Sequence, residues 1–250
     1  MRKVFMIGDS LMQDYNAVFY PQFGFGQIIR SFIKEDIIFV NLAKYGRSSK
    51  SFYNQNRFSF VEKNIEKGDL LIVSFGSNDE NNNDMERYTE KDSEFLKYLS
   101  IYNEAAKKKG ANIIYITSPT KCIFDEFDKN IDTHKGYPAS MYNWCKKNNL
   151  FCMELNEETK KIYNYFGYNK MKEFHQIYEK NIYKRYIDGL NDTSHYNLKG
   201  ATFIALIIIH YLELNYKYFD DYFIDIANAT SFNPNLNLEE FNELLKNKII

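Results

Sequence analysis

Five short runs rich in β-branched and aromatic residues recur through the first 155 positions: KVFMI, IIFVNLA, LLIVSFG, NIIYITS and LFCMEL. Each ends near turn residues, and longer segments with helical spacing separate several of them, among them GQIIRSFIKE, EFLKYLSIYNEAAKKKG and SMYNWCKKNN. The second of these places Phe95, Leu99 and Tyr102 on one face, carries lysines late and stops at Gly110, as helix-end electrostatics and capping favour. Strand and helix alternating in this way predict an α/β chain with a mostly parallel sheet covered on both sides.

After about residue 156 the spacing turns helical throughout, in NEETKKIYNYFG, KMKEFHQIYEKNIYKRY and LKGATFIALIIIHYLEL. These predict helices flanking the sheet. The apolar run ATFIALIIIHYLEL is short for a bilayer span and holds His210 and Glu213, so a buried helix is expected and no membrane partner. Residues 217–250 read as an extension packed on a main domain of residues 1–216, with a loop and short helix in NPNLNLEEFNELLKNK.

Composition removes some functions. The 32 basic and 33 acidic residues leave a net charge of −1, with no excess to neutralise a phosphate backbone, so nucleic acid is not expected as a partner. Cys122, Cys145 and Cys152 lack the paired spacing of a zinc site and read as reduced core thiols. No metal or cofactor is expected: there is no P-loop and no H-E-x-x-H, and Gly24 and Gly26 lack the third glycine of a dinucleotide fingerprint. Met1 leads directly into a strand without a secretory pattern, which predicts a cytoplasmic chain.

The chemistry gathers at strand ends. In IGDSL, Ser10 follows the first strand after only Gly8 and Asp9, which lifts it to the carboxyl edge where open α/β sheets build their sites. The same residues also suit a plain turn and helix cap. A nucleophilic Ser10 needs a base and an orienting group. Of four histidines, only His195 has an acid three residues earlier, Asp192, and a helix start just after it. The pair can project from one short loop, although an isolated D-x-x-H also describes a turn cap. His175 and His210 fall within helical patterns, whereas His134 has loop-like neighbours and is a candidate to line a cleft.

Two further strand ends offer oxyanion donors: Gly46 with an unobstructed backbone N–H, and Asn78 with a side-chain amide. Each alone is an ordinary turn residue. Ser, Gly and Asn at three successive strand ends, followed by a late Asp and His, are harder to assign to turns. The absence of G-x-S-x-G disfavours the α/β-hydrolase fold.

This ordered set of Ser10, Gly46, Asn78 and His195, with Asp192, resembles the GDSL or SGNH hydrolase family. The resemblance implies a flavodoxin-like three-layer α/β/α sandwich with a central parallel sheet. It also implies a serine esterase in which Ser10 attacks, His195 is base and then acid, Asp192 orients it, and Ser10, Gly46 and Asn78 form the oxyanion hole. GFGQ, NLAKYGRSSKSF, GDLLIVSFGSND, RYT and HKGYPASMYNW are similar, more narrowly, to the rhamnogalacturonan acetylesterase branch over roughly residues 3 to 203. That branch removes acetyl groups from plant cell-wall polysaccharides, and the likeness implies an oligosaccharide ester substrate with His134 and Tyr137 in its binding. Ser77 and Leu11 depart from the branch, which often has histidine and threonine there. A GDSL lipase, thioesterase or general short-chain esterase is the alternative, and a non-catalytic carbohydrate-binding protein is a third reading. Phe23, Phe25 and Tyr45 are candidates either for stacking on a sugar or for the core.

Overall fold

All five expected strands form and pair in parallel, most of them shorter than their apolar runs. In the computed structural model, which describes residues 1–250, β1 (Lys3–Gly8), β2 (Ile38–Asn41), β3 (Leu70–Ser74), β4 (Asn112–Ile116) and β5 (Cys152–Met153) make one sheet. Its order is β2-β1-β3-β4-β5, the doubly wound arrangement that opens a crevice beyond the carboxyl ends of β1 and β3.

Strand side chains alternate between faces, and here each face has its own core. Val4, Met6, Leu70, Ile72 and Ile114 pack in a cluster with helix Leu198–Asn215. Phe5, Ile7, Leu71, Val73 and Tyr115 pack in a second with helix Glu94–Lys109. The result is the three-layer α/β/α sandwich. Helix Glu94–Lys109 follows its sequence signals: Phe95, Leu99 and Tyr102 are buried, three lysines occupy the last turn, and Gly110 ends it at φ 71°. Helix Leu198–Asn215 is longer than its apolar run, at 18 residues, and eleven of them are buried against the sheet and its neighbours.

One expectation fails. In KMKEFHQIYEKNIYKRY only the start is helical, the end of a short helix Tyr168–Met171 and a 3₁₀ turn Lys172–Phe174; the chain then enters an antiparallel hairpin of β6 (His175–Tyr178) and β7 (Leu190–Tyr196). Phe174, Ile177, Tyr178 and Ile182 do fall at helical spacing, but only Phe174 is fully buried and Ile182 is 61% exposed, so the four do not share one buried face. The backbone instead pairs with β7, and the Asn197 amide donates to the carbonyls of Glu173 and His175 at 2.8 and 3.1 Å. A local periodicity lost to a long-range pairing. Accordingly His175 is a fully buried strand residue, and Asp192 and His195 lie on a strand rather than on a loop.

Smaller departures have local causes. GQIIRSFIKE is α-helical only over Phe25–Ile29 and tightens to a 3₁₀ turn at Arg30–Phe32. LFCMEL contributes only Cys152 and Met153 to the sheet, because helix Leu155–Phe166 starts at once. In FGFGQ, a side-chain carbon on Gly24 or Gly26 would come within 2.3 Å of Gln13 O or 2.1 Å of Met12 O. The glycines let this helix close on the segment just after Ser10, which accounts for them without a nucleotide.

Past residue 216 the chain folds back on the same core. Phe219, Phe223, Leu236, Phe241 and Leu244 share the cluster that covers the first face. Full burial of such side chains stabilises by about 1.5–3 kcal/mol each. The Glu240 carboxylate meets Lys170 Nζ and Lys199 Nζ, both at 2.8 Å, tying terminal helix Glu239–Lys246 to the body.

Candidate active site

β1 delivers Ser10 to the carboxyl edge through a turn stapled by Asp9. The Asp9 Oδ1 accepts the Leu11 N–H at 2.9 Å and the Asp9 carbonyl accepts the Met12 N–H at 3.3 Å. The Tyr15 hydroxyl donates to the Ser10 carbonyl at 3.0 Å, fixing the peptide that carries the serine. From the other sheet, β7 brings its acid and imidazole to meet it. His195 Nε2 lies 2.8 Å from Ser10 Oγ, and His195 Nδ1 lies 2.7 Å from Asp192 Oδ2. Asp192 Oδ1 accepts the N–H groups of Ser194 and His195 at 2.9 and 3.0 Å, so the carboxylate is held by the turn of its own strand.

The electrostatics favour one tautomer. Burial pushes the Asp192 carboxyl up, but the hydrogen bond and charge of His195 and the two backbone N–H groups outweigh it and hold it at about 2. An ionised Asp192 can only accept, so Nδ1 carries the proton and Nε2 is left to accept from the serine. Burial disfavours the charged imidazole, yet the hydrogen bond and charge of Asp192, with the charge of Asp9, raise His195 above its usual value. A hydroxyl bonded to such a base is a polarised nucleophile.

Gly46 and Asn78 reach the same edge from β2 and β3. Gly46 sits at φ 68°, a left-handed conformation that glycine adopts without strain. Neither its N–H nor that of Ser10 has an acceptor within the chain. Asn78 Oδ1 accepts from Arg87 Nη1 at 3.5 Å, and its side chain also stabilises the Asp9 carboxylate. Free donors at the end of a parallel sheet are suited to receive an oxyanion.

Buried Asp79, next to Asn78, joins the β2 and β3 loops. Its carboxylate accepts the Ser49 N–H at 3.0 Å, the Ser49 hydroxyl, and the Thr89 hydroxyl at 3.1 Å. Burial pushes Asp79 up to about 7 against those bonds, and pushes Asp9 up to about 6 against the Leu11 N–H and the charge of His195. Reading the sequence missed Asp79, Asp9, Tyr15 and Arg87 as parts of the site. Asp9 and Asp79 adjoin quoted motif residues, but nothing in the sequence tells a buried acid from an exposed one.

His134 and Tyr137 do not line the cleft. His134 is 1% exposed, with Nδ1 3.2 Å from Glu80 Oε2 and Nε2 3.0 Å from the Pro119 carbonyl, so both ring nitrogens are occupied within the protein. Tyr137 is buried against Phe95 and donates its hydroxyl to the Thr89 carbonyl. Both brace the loop that follows β3 instead of offering a surface to substrate. Phe25 is core, and Phe23 packs against the core beside a backbone bridge to Tyr196; Tyr45 is 47% exposed beside Gly46.

Comparison with known proteins agrees with this geometry. Residues 4–208 match the family described as GDSL-like Lipase/Acylhydrolase. Among curated proteins of Bacillus subtilis strain 168, rhamnogalacturonan acetylesterase RhgT is 30% identical over 211 residues, covering 84% of this chain and 89% of its own length. Probable rhamnogalacturonan acetylesterase YesY is 31% identical over 205 residues, covering 82% and 89%. Among solved structures, YxiM of Bacillus subtilis superposes with a TM-score of 0.72 at 22% identity over 85% of this chain and 56% of that one. Axe2, an acetylxylan esterase from Geobacillus stearothermophilus, superposes with a TM-score of 0.60 at 13% identity, covering 87% and 95%, a likeness of fold. With the family match spanning most of the sandwich and its serine at the sheet edge, the chain belongs to the GDSL-like lipase/acylhydrolase family of ester hydrolases.

Proposed function

We propose that the protein is a serine acetylesterase that removes acetyl groups from plant cell-wall oligosaccharides such as rhamnogalacturonan fragments. The observation that carries the reading is the unbroken run Ser10 Oγ, His195 Nε2, His195 Nδ1, Asp192 Oδ2, with contacts of 2.8 and 2.7 Å, beside two free backbone N–H groups. The named activity of RhgT supports the substrate class.

In the first half-reaction Ser10 Oγ attacks the acetyl carbonyl carbon while His195 Nε2 takes its proton. The carbonyl oxygen becomes an oxyanion that the N–H groups of Ser10 and Gly46 and the Asn78 amide receive. The imidazolium, stabilised by Asp192, protonates the departing sugar oxygen, leaving an acetyl ester on Ser10. Water then attacks that ester with His195 again as base, and acetate leaves.

Three measurements test this. Asn78→Ala should lower kcat by about 10²- to 10³-fold, the usual cost of losing one oxyanion donor; a change confined to KM would make Asn78 a binding residue instead. Activity should fall steeply from acetyl to octanoyl model esters, because a pocket fitted to a methyl group excludes longer chains sterically. Acetate should appear from acetylated pectic oligosaccharides faster than from acetylated xylan. Preference for the octanoyl ester, or no acetate from any acetylated sugar, would favour a lipase or thioesterase.

A further inference from the structure

The acid and the base of the triad stand on an irregularity of β7. His175 on β6 pairs with Tyr196, and the next residue, Gln176, pairs with Asp192, so Thr193, Ser194 and His195 stand opposite no residue of β6. A bulge of this kind re-aims side chains, which is why bulges gather beside reaction centres. Here it turns the carboxylate and the imidazole towards one another, and it must itself be held. Two main-chain bonds fix its ends. The Cys122 N–H, from the segment after β4, donates to the Thr193 carbonyl at 2.8 Å, and the Phe23 N–H donates to the Tyr196 carbonyl at 3.0 Å. His195 lies between these two points.

The side chain at this step of β6 is that of His175. It is fully buried, and its ring centre lies 4.8 Å from that of Tyr196. Nε2 lies 2.6 Å from the hydroxyl oxygen of Tyr163, itself fully buried on helix Leu155–Phe166. The ring therefore ties the strand that carries the bulge to a helix of the sandwich. Nδ1 has no hydrogen-bond partner within the protein. Burial holds the ring at about 3, against the charge of Asp192 and the main chain of His195, so His175 stays neutral wherever His195 can act as a base. A phenylalanine would fill the same space with no polar atom to bury, so packing alone does not account for an imidazole here.

We propose that His175 is a positioning residue for ester hydrolysis: bonded to Tyr163 and stacked on Tyr196, it fixes the bulge of β7 so that Asp192, His195 and Ser10 stay in line. This rests on the esterase reading above and names the support that its geometry needs. A fully buried ring cannot meet the substrate, so its effect passes through Asp192 and His195. Those two groups need little displacement to fail, because a shift of about 1 Å in a reacting group can cost about 10²-fold in rate.

The test measures kcat, KM and the pH profile with 4-nitrophenyl acetate, and thermal stability alongside, for His175→Phe, His175→Gln and Tyr163→Phe. His175→Phe should lower kcat about ten- to a hundredfold and leave KM unchanged. Its acid limb should move to lower pH, because a looser bulge weakens the Asp192 bond that raises His195, while burial and the charge of Asp9 remain. Tyr163→Phe keeps both rings and loses only the hydroxyl, so it should give a smaller loss in the same direction. His175→Gln, whose amide can reach the Tyr163 hydroxyl, should recover part of the kcat. A folded His175→Phe protein with wild-type kcat and an unmoved limb overturns the proposal, and so does a loss of thermal stability with wild-type kcat. Should His175→Phe not fold, wild-type kcat and an unmoved limb in Tyr163→Phe overturn it in the same way. A wild type that releases no 4-nitrophenol, or a Ser10→Ala variant as active as wild type, overturns the esterase reading instead, and the positioning role with it.

Discussion

Ser10→Ala is expected to lower kcat for acetate release by on the order of 10⁴-fold or more, with His195→Ala losing a similar amount. Members of a coupled triad are not additive, so removing either leaves only what binding and oxyanion stabilisation supply. The Ser10 side chain makes one hydrogen bond in the protein, to His195 Nε2, and its loss opens no large cavity in the core. The variant should therefore keep wild-type circular dichroism and thermal stability. Acetate release within tenfold of wild type from a folded Ser10→Ala protein would move the nucleophile elsewhere.

The second large effect belongs to Asp192→Asn, expected to cost on the order of 10⁴-fold in turnover. Asparagine keeps an oxygen for the N–H groups of Ser194 and His195, so the strand should stay folded. Its NH₂ group, however, donates where the carboxylate accepted. His195 then turns its unprotonated Nδ1 to residue 192 and its Nε2–H to Ser10, and cannot take the serine proton. The pH profile carries a separate signature. Activity needs neutral His195, so it rises with pH through the folded-state value, which the Asp192 bond and charge raise above the usual imidazole value against the pull of burial. Removing Asp192 leaves burial dominant, so the acid limb of the residual activity should move to lower pH. An unmoved limb with undiminished kcat would show that Asp192 does not govern the imidazole.

How far this site was readable depends on what each residue requires of its surroundings. Ser10, Gly46 and Asn78 were legible because a strand end fixes where the next few residues must lie, and parallel strands all end on one edge. Asp192 and His195 were legible as a pair three apart, but their support was not. The helical spacing of Phe174, Ile177 and Tyr178 concealed a hairpin whose pairing depends on β7, which begins only at Leu190. His134 misled for a related reason: polar neighbours suggest exposure, whereas Glu80 and the Pro119 carbonyl satisfy the ring from distant segments. Asp79 escaped notice because burial is a property of the assembled loops and not of any window of sequence.

The serine and its base stand on different scaffolds. Ser10, Gly46 and Asn78 follow strands of the five-stranded sheet, while Asp192 and His195 ride on a separate two-stranded ribbon. The bond from Ser10 to His195 is thus a junction between two independently paired units, steadied by the Phe23 to Tyr196 bridge and by the helix that leaves the ribbon at Leu198. Such a division of labour lets selection act on the two halves separately. Changes in the ribbon retune proton transfer while the oxyanion donors keep their register, and changes in the sheet loops reshape what is bound without disturbing the base.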